Sequence, residues 1–214
     1  MKSQEIPEKA NKPPFIFIVD EINRGEISKI FGELFFSIDP EYRGKEGLIQ
    51  TQYQNLITDK DSFCKGFYVP ENVYIIGTMN DIDRSVESMD FAMRRRFAWK
   101  EIKAKENTDM LDKFDTLKDE IIKKMQALNS TIWNEEEKKG IDGLNSSYHI
   151  GGAYFAKLAL YLNDDKSNKD EAYNKLWNNH LKGLLFEYLR GMPNANEELD
   201  KLKKAYDENA QTKG

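Results

Sequence analysis

The sequence contains one cysteine, Cys64, which excludes an internal disulfide framework and fits a reducing compartment. Its two histidines, His149 and His180, stand far apart, and no cysteine joins them at metal-ligand spacing, so a zinc site of the usual kind has no ligand set. Long apolar runs are missing: none is longer than Phe15–Val19, far short of the roughly 20 residues that span a bilayer. Met1 to Lys12 is charged and lacks the apolar centre of a signal peptide, so the expected location is cytoplasmic. Positive charge is not in excess either. The formal net charge is −5, so any contact with DNA has to come from a local basic patch or from elsewhere in an assembly. No internal repeat or low-complexity tract is present.

What is there describes a globular chain. Hydrophobic residues make up 39% and charged ones 32% of 214 residues, a balance that can bury a core and is unlike that of a disordered chain. Phe15-Ile-Phe-Ile-Val19 is β-branched and aromatic on both faces, which predicts a central strand of a parallel sheet covered by helices on both sides. Ile27, Ile30, Phe31, Leu34, Phe35 and Ile38 recur at helical spacing and predict a helix that Asp39-Pro40 stops. Residues 41–70, polar with alternating apolar positions near Leu48 to Ile57 and Phe67 to Val69, read as a loop carrying a β-hairpin. Val73-Tyr-Ile-Ile76 is a second buried strand, followed by Gly77-Thr-Met-Asn80. Beyond Ala98 the pattern turns helical. Phe114, Leu117, Ile121, Met125, Leu128 and Ile132 form one stripe, a helix begins near Gly152, and another carries Trp177, Leu181, Leu184, Tyr188 and Leu189. The expectation is an α/β layer over 1–100, a helical subdomain over 101–193, and a charged tail over 194–214 that is a weakly amphipathic helix or a frayed end.

Three groups of residues carry chemistry. Asp20-Glu21 follows the first strand, where one carboxylate can hold a divalent cation and its neighbour can orient or deprotonate water. The plain alternative is that the pair favours the dipole of the next helix. Asn80 follows the second strand, so two parallel strands ending together deliver Asp20, Glu21 and Asn80 to one crevice, where open α/β sheets bind ligands. By itself Asn80 would be a turn residue. The third group is Asp83-Arg84 followed by Asp90-Phe-Ala-Met-Arg94-Arg95-Arg96-Phe97. Successive helical side chains turn by about 100°, so three consecutive arginines cannot share one direction, and at least one points away from its own domain. Asp90 stands four residues before Arg94, in reach of pairing with it. An isolated arginine triplet would otherwise read as a basic patch.

The order of these groups resembles the AAA+ ATPase module, with Walker B, sensor 1 and arginine finger in sequence. More narrowly it resembles the GTPase subunit of McrBC-type, modification-dependent restriction systems. The matching stretches are Phe17-Ile-Val-Asp-Glu-Ile-Asn-Arg24, Phe31-Gly-Glu33, Phe67 to Gly77, Met79-Asn80-x-x-Asp83-Arg84-Ser85 and Asp90-Phe-Ala-x-Arg-Arg-Arg-Phe97. A looser match runs through Ile150-Gly-Gly-Ala-Tyr-Phe155 and Trp177 to Tyr188, where the family has its helical lid. The resemblance implies an α/β P-loop NTPase core followed by an all-α lid. It implies that Asp20 holds Mg²⁺, Glu21 activates water and Asn80 is sensor 1. Asp83 and Arg84 would join the network through which a McrC-like nuclease subunit stimulates hydrolysis. Arg95 and Arg96 would act on the adjacent protomer, supported by Asp90. It further implies GTP, alternatively ATP, as the nucleotide and a homo-oligomeric ring, a hexamer in this family, working on DNA. The lid departs from the family: Gly152 and Ala153 stand where the pattern has His and Ser, which removes two polar side chains from that turn.

The phosphate-cradling motif G-x-x-x-x-G-K-S/T does not occur in these 214 residues; the only Gly-Lys pair, Gly44-Lys45, precedes Glu46 and follows no strand. The chain therefore reads as an incomplete core with unpaired sheet edges and negligible nucleotide turnover by itself. Three functions fit: part of a McrB-like motor, a MoxR- or dynein-related ATPase that remodels proteins, or a non-catalytic fragment that binds intact protomers or a McrC-like subunit.

Overall fold

A computed structural model describes residues 13–80, 82 and 91–208. The chain divides into two compact units, Met1–Trp99 and Lys100–Gly214.

In the first unit, β1 (Phe15–Val19) and β2 (Val73–Gly77) pair in parallel, in the register Phe15↔Val73 to Val19↔Gly77. Parallel strands need a long crossover, and here it contains α1 (Ile27–Phe31) and a 3₁₀ segment, Gly32–Ile38. The helix predicted over Ile27 to Ile38 is thus broken in two. Gly32 sits at φ 51°, ψ −127°, a conformation that a residue with a Cβ resists, so the α-helix ends there and the chain continues more tightly wound. Asp39 closes that segment and accepts a hydrogen bond from the Glu41 amide at 3.2 Å.

Side chains on a strand alternate between faces, and the two faces of this sheet differ. One carries Val19 and Ile75 against a small buried cluster of Ile22, Ile27, Ile38 and Met93, although Phe15 and Phe17 on the same face are 61% and 55% exposed. The other presents Ile16, Ile18, Tyr74 and Ile76, of which Ile16 is 61% and Ile18 63% exposed. The prediction that helices cover β1 on both sides is therefore corrected. Its apolar composition reports a preference for burial, but among the described residues nothing covers that second face.

The hairpin expected within 41–70 reduces to one antiparallel bridge, Ile49↔Phe67, extended by the Gly44 amide bonding to the Val69 carbonyl at 2.8 Å. Polar side chains take backbone groups that a ladder would have used. Gln54 Nε2 donates to the carbonyls of Phe63 and Cys64 at 3.0 and 2.9 Å, and Asp61 accepts from the Thr58 amide at 2.8 Å. Arg43 ties this region down by donating to the carbonyls of Val73 and Ile38. Burial lowers its pKa, an effect that Asp39 opposes. A short helix, α2 (Phe91–Arg94), buries Met93 in the same cluster.

The second unit is helical around one core. A 3₁₀ segment (Asp109–Leu117) leads into α3 (Lys118–Ile132), and the predicted stripe Phe114, Leu117, Ile121, Met125, Leu128 and Ile132 is buried along its length. A two-residue β3–β4 pair (Trp133–Asn134 with Lys139–Gly140) is followed by α4 (Gly152–Phe155). Next, α5 (Lys169–Leu176), a π turn (Trp177–Leu181) and α6 (Lys182–Tyr188) run end to end. The segment beyond Asn194, expected to be weakly amphipathic, forms α7 (Ala195–Glu208). Its Leu199, Leu202 and Tyr206, at spacings of three and four, join the core. Lys124, 2% exposed on α3, donates to the Tyr206 carbonyl at 2.7 Å and lies over the rings of Tyr173 and Tyr206. An ammonium at the last turn of α7 meets both an orphan carbonyl and the negative end of the helix dipole. No described helix is long and apolar enough to cross a membrane.

Candidate active site

The carboxyl ends of β1 and β2 are joined by more than their ladder. Beyond the paired strands the Thr78 amide donates to the Val19 carbonyl at 3.0 Å, and the Ile22 amide donates to the Thr78 carbonyl at 2.8 Å. The chain leaving β1 thus folds across the end of β2. The two segments pack closely there: a Cβ at position 77 would lie 2.8 Å from Ile22 Cδ1 and would have to displace that side chain. Glu21 takes up the turn in the left-handed region, at φ 52°, ψ 47°, which is uncommon and costly for a residue with a side chain and tends to persist where the surroundings fix it.

Two polar links hold the turn. Thr78 Oγ1 accepts from the Glu21 amide at 3.1 Å and donates to Asp20 Oδ1. Asn23 Nδ2 donates to the Asn80 carbonyl at 3.3 Å. Asp20, Glu21 and Asn80 consequently meet at one end of the sheet, all exposed. Asn80 Oδ1 accepts from the Ile82 amide at 3.4 Å, a turn contact. The Glu21 carboxylate pairs with Arg24 Nε. Both groups are about half exposed, and such pairs contribute only about 0–1 kcal/mol, so releasing Glu21 to another partner costs little.

The arginine triplet splits three ways. Arg94 lies over the Trp99 ring at 5.3 Å, and Trp99 Nε1 donates to the Arg94 carbonyl at 2.8 Å. Arg96 turns inward: its side chain is 8% exposed, stacks over Phe35 at 4.2 Å, lies 4.0 Å from Asp39 and bonds the Ala92 carbonyl. Arg95 is exposed, and no other described residue pairs with its guanidinium. Of the two arginines that the family pattern assigns to a neighbouring protomer, Arg95 alone is presented outward. Asp83, Arg84 and Asp90 lie outside the described residues.

Both histidines have packing partners. His149 Nε2 lies 2.8 Å from the Trp133 carbonyl, and His180 Nε2 lies 2.9 Å from the Tyr161 hydroxyl. Burial, with Lys157 adding repulsion, lowers the pKa of His180. Among the described residues no three His, Cys, Asp or Glu side chains form a metal cage. The acidic end of the sheet needs none, because Mg²⁺ binds through one or two carboxylates together with water and substrate phosphates. Asp20 fits that role as a solvent-facing hard donor, with one oxygen held by Thr78 and no other described residue bonding its second. Thr78 and Asn23 were not legible as site residues. The available signal was a hydroxyl directly after a strand, and its partner stands 58 residues away.

Residues 2–97 match the family described as AAA domain (dynein-related subfamily). Over 194 residues, 87% of the chain, the sequence is 34% identical to the type IV methyl-directed restriction enzyme EcoKMcrB subunit of Escherichia coli (strain K12), and it covers 38% of that protein. The YdiS component of the type II restriction enzyme BsuMI from Bacillus subtilis (strain 168) is 31% identical over 91 residues, which are 40% of this chain and 26% of that protein. The chain spans well under half the length of either relative.

Proposed function

We propose that the chain, which is similar to the AAA domain (dynein-related subfamily) over residues 2–97, supplies the metal-holding, water-orienting and arginine side of a nucleotide phosphohydrolase site in a McrB-type restriction motor. The observation that carries this reading is the joined end of β1 and β2, where Asp20, Glu21 and Asn80 converge through Thr78 and Asn23.

Asp20 would hold Mg²⁺, which would supply neutralisation of the charge on the nucleotide phosphates. Glu21 would orient a water or accept its proton once it leaves Arg24. Asn80, with its side-chain oxygen taken by Ile82, offers its amide N–H to a terminal phosphate or to that water without adding charge. Arg95 is the candidate to reach a neighbouring protomer, where a guanidinium would stabilise charge developing on the phosphoryl group. Arg96 fixes the segment from which Arg95 projects. Asp83, Arg84 and Asp90 complete the proposed set from the family motif.

The phosphate-cradling motif is absent from the 214 residues, so in this reading it is contributed by residues outside them. The remaining proposals are GTP as nucleotide, a hexameric ring, DNA translocation and a McrC-like nuclease partner. The match to the dynein-related subfamily favours a second reading, an ATPase that remodels proteins. Hydrolysis of GTP and of ATP, measured for the chain alone and mixed with the P-loop-bearing segment of a McrB-type protein, tests the assignment. Turnover is expected only in the mixture, and Glu21→Gln should lower it by about a hundredfold or more. Robust turnover by the chain alone overturns the reading, and a strong preference for ATP favours the second one.

A further inference from the structure

We propose that Thr78 and Asn23 are positioning residues that form a reciprocal latch between the two strand ends, with Thr78 setting the orientation of the Asp20 carboxylate and of the Glu21 backbone. This inference rests on the reading of Asp20 as a metal-holding carboxylate.

The argument begins with the conformation of Glu21. A left-handed residue carrying a side chain reverts to a commoner conformation unless its surroundings hold it. The acceptor of the Glu21 amide lies outside the turn: it is Thr78 Oγ1, just beyond the end of β2. The same hydroxyl donates to Asp20 Oδ1. One oxygen atom therefore accepts from the backbone of one acidic residue and donates to the carboxylate of the residue before it. A hydroxyl can do both, whereas a methyl can do neither and an ammonium would lack the acceptor role. Asp20 is exposed and has no second described side chain to limit its rotation, so Thr78 selects which oxygen faces away from the sheet.

Asn23 acts in the opposite direction. It leaves the turn after Glu21 and donates to the carbonyl of Asn80 at 3.3 Å. Each strand end thus sends one side chain to the other: Thr78 from β2 to the acidic turn, and Asn23 from the acidic turn to the amide-bearing residue. The backbone bonds from Thr78 to Val19 and from Ile22 to Thr78 fix the spacing over which these side chains reach. A latch of this kind makes the relative placement of carboxylate and amide independent of whether a nucleotide is present. It is a preorganised arrangement, and so adds to transition-state stabilisation without reorganisation at the moment of reaction.

Two readouts on the full 214-residue chain test it. The first is amide hydrogen exchange at Glu21. The second is paramagnetic broadening of the Glu21, Thr78 and Asn80 amide resonances during titration with Mn²⁺ alone. Thr78→Val keeps the branched shape and removes both hydrogen bonds. It is expected to raise Glu21 exchange and weaken the Mn²⁺ response, each by about five- to tenfold, the scale of one lost hydrogen bond to a charged or backbone group. Thr78→Ser is expected to restore both to within about twofold. Thr78→Val matching the wild type in Glu21 exchange overturns the latch, as does Thr78→Ser failing to rescue that exchange; an unchanged Mn²⁺ response overturns its hold on the Asp20 carboxylate when Asp20→Asn does lose the ion. Asn23→Ala is expected to displace the Asn80 resonance while preserving the fold, and decides the question if Thr78→Val does not fold; an unmoved Asn80 resonance counts against the latch. Asp20→Asn separates the two claims. If it binds Mn²⁺ as the wild type does, the metal-holding role fails while the Glu21 exchange result still judges the latch.

Discussion

The two units use apolar residues in opposite ways. In Lys100–Gly214 nearly every residue of the helical stripes is enclosed, from Leu111 through Leu128 to Tyr206, in one continuous core. In Met1–Trp99 the fully buried cluster among the described residues is Ile22, Ile27, Ile38 and Met93, while most of β1 lies open. A helix bundle closes its own core because each helix covers its neighbours' stripes. A strand apolar on both faces needs a layer on each side and a partner on each edge, and two strands with a few short helical segments supply only part of that. The helical unit draws its stability from its own contacts. The sheet unit keeps its site in order mainly by polar links at one end.

The sharpest way to break this comparison is to remove equivalent bulk from both units. Leu128→Ala, at a fully enclosed position, should cost about 3 kcal/mol, read from chemical denaturation followed by the fluorescence of buried Trp177. Ile18→Ala should change stability by less than about 0.5 kcal/mol, since its side chain is already in water. Similar losses at the two sites would show that the exposed face is covered in solution. Next in size is the arginine pair. Arg96→Ala should destabilise the first unit by about 1–2 kcal/mol through lost packing on Phe35 and the loss of the contact with Asp39, whereas Arg95→Ala should stay within about 0.5 kcal/mol. Equal effects in denaturation would mean that both are surface residues.

A smaller effect separates the units by pH. Tyr188 is pushed up to about 12, first by burial and then by the neighbouring Tyr154 and Tyr148. Burial, with acidic neighbours, pushes Tyr173 and Tyr206 up as well. A phenol whose folded pKa exceeds its unfolded value contributes stability that is complete below about pH 10 and is lost as pH rises through the folded value. The helical unit should therefore lose stability between about pH 10 and 12, and Tyr188→Phe should make that decline shallower in denaturation midpoints taken across the range. Lys124 works with the opposite sign: burial lowers its pKa, so its contribution to stability increases as pH rises toward the ordinary lysine value. Lys124→Met should remove that rise, and an unchanged slope would place its ammonium in water.

Much of the helical unit was legible in the sequence because helix formation is local. The spacing of Phe114 to Ile132 defines a stripe, and the stripe needs only neighbours of the same kind to be buried. The ends of β1 and β2 were legible for a similar reason, since an apolar run followed by polar residues marks where a strand stops. The hairpin in 41–70 was misread because alternation alone ignores side chains such as Gln54 and Asp61, which compete for backbone partners. The strength of α7 was underestimated because its charged residues outnumber the three that reach the core.

From the sequence alone came the identities of the acidic pair, the amide and the arginines, and the order in which they occur along the chain, because these are properties of residue type and spacing. Which strand end Thr78 would bridge, which arginine would turn inward and which face of the sheet would stay open were decided only by the tertiary structure. Each depends on groups distant along the chain meeting in space, and local pattern carries no record of such meetings.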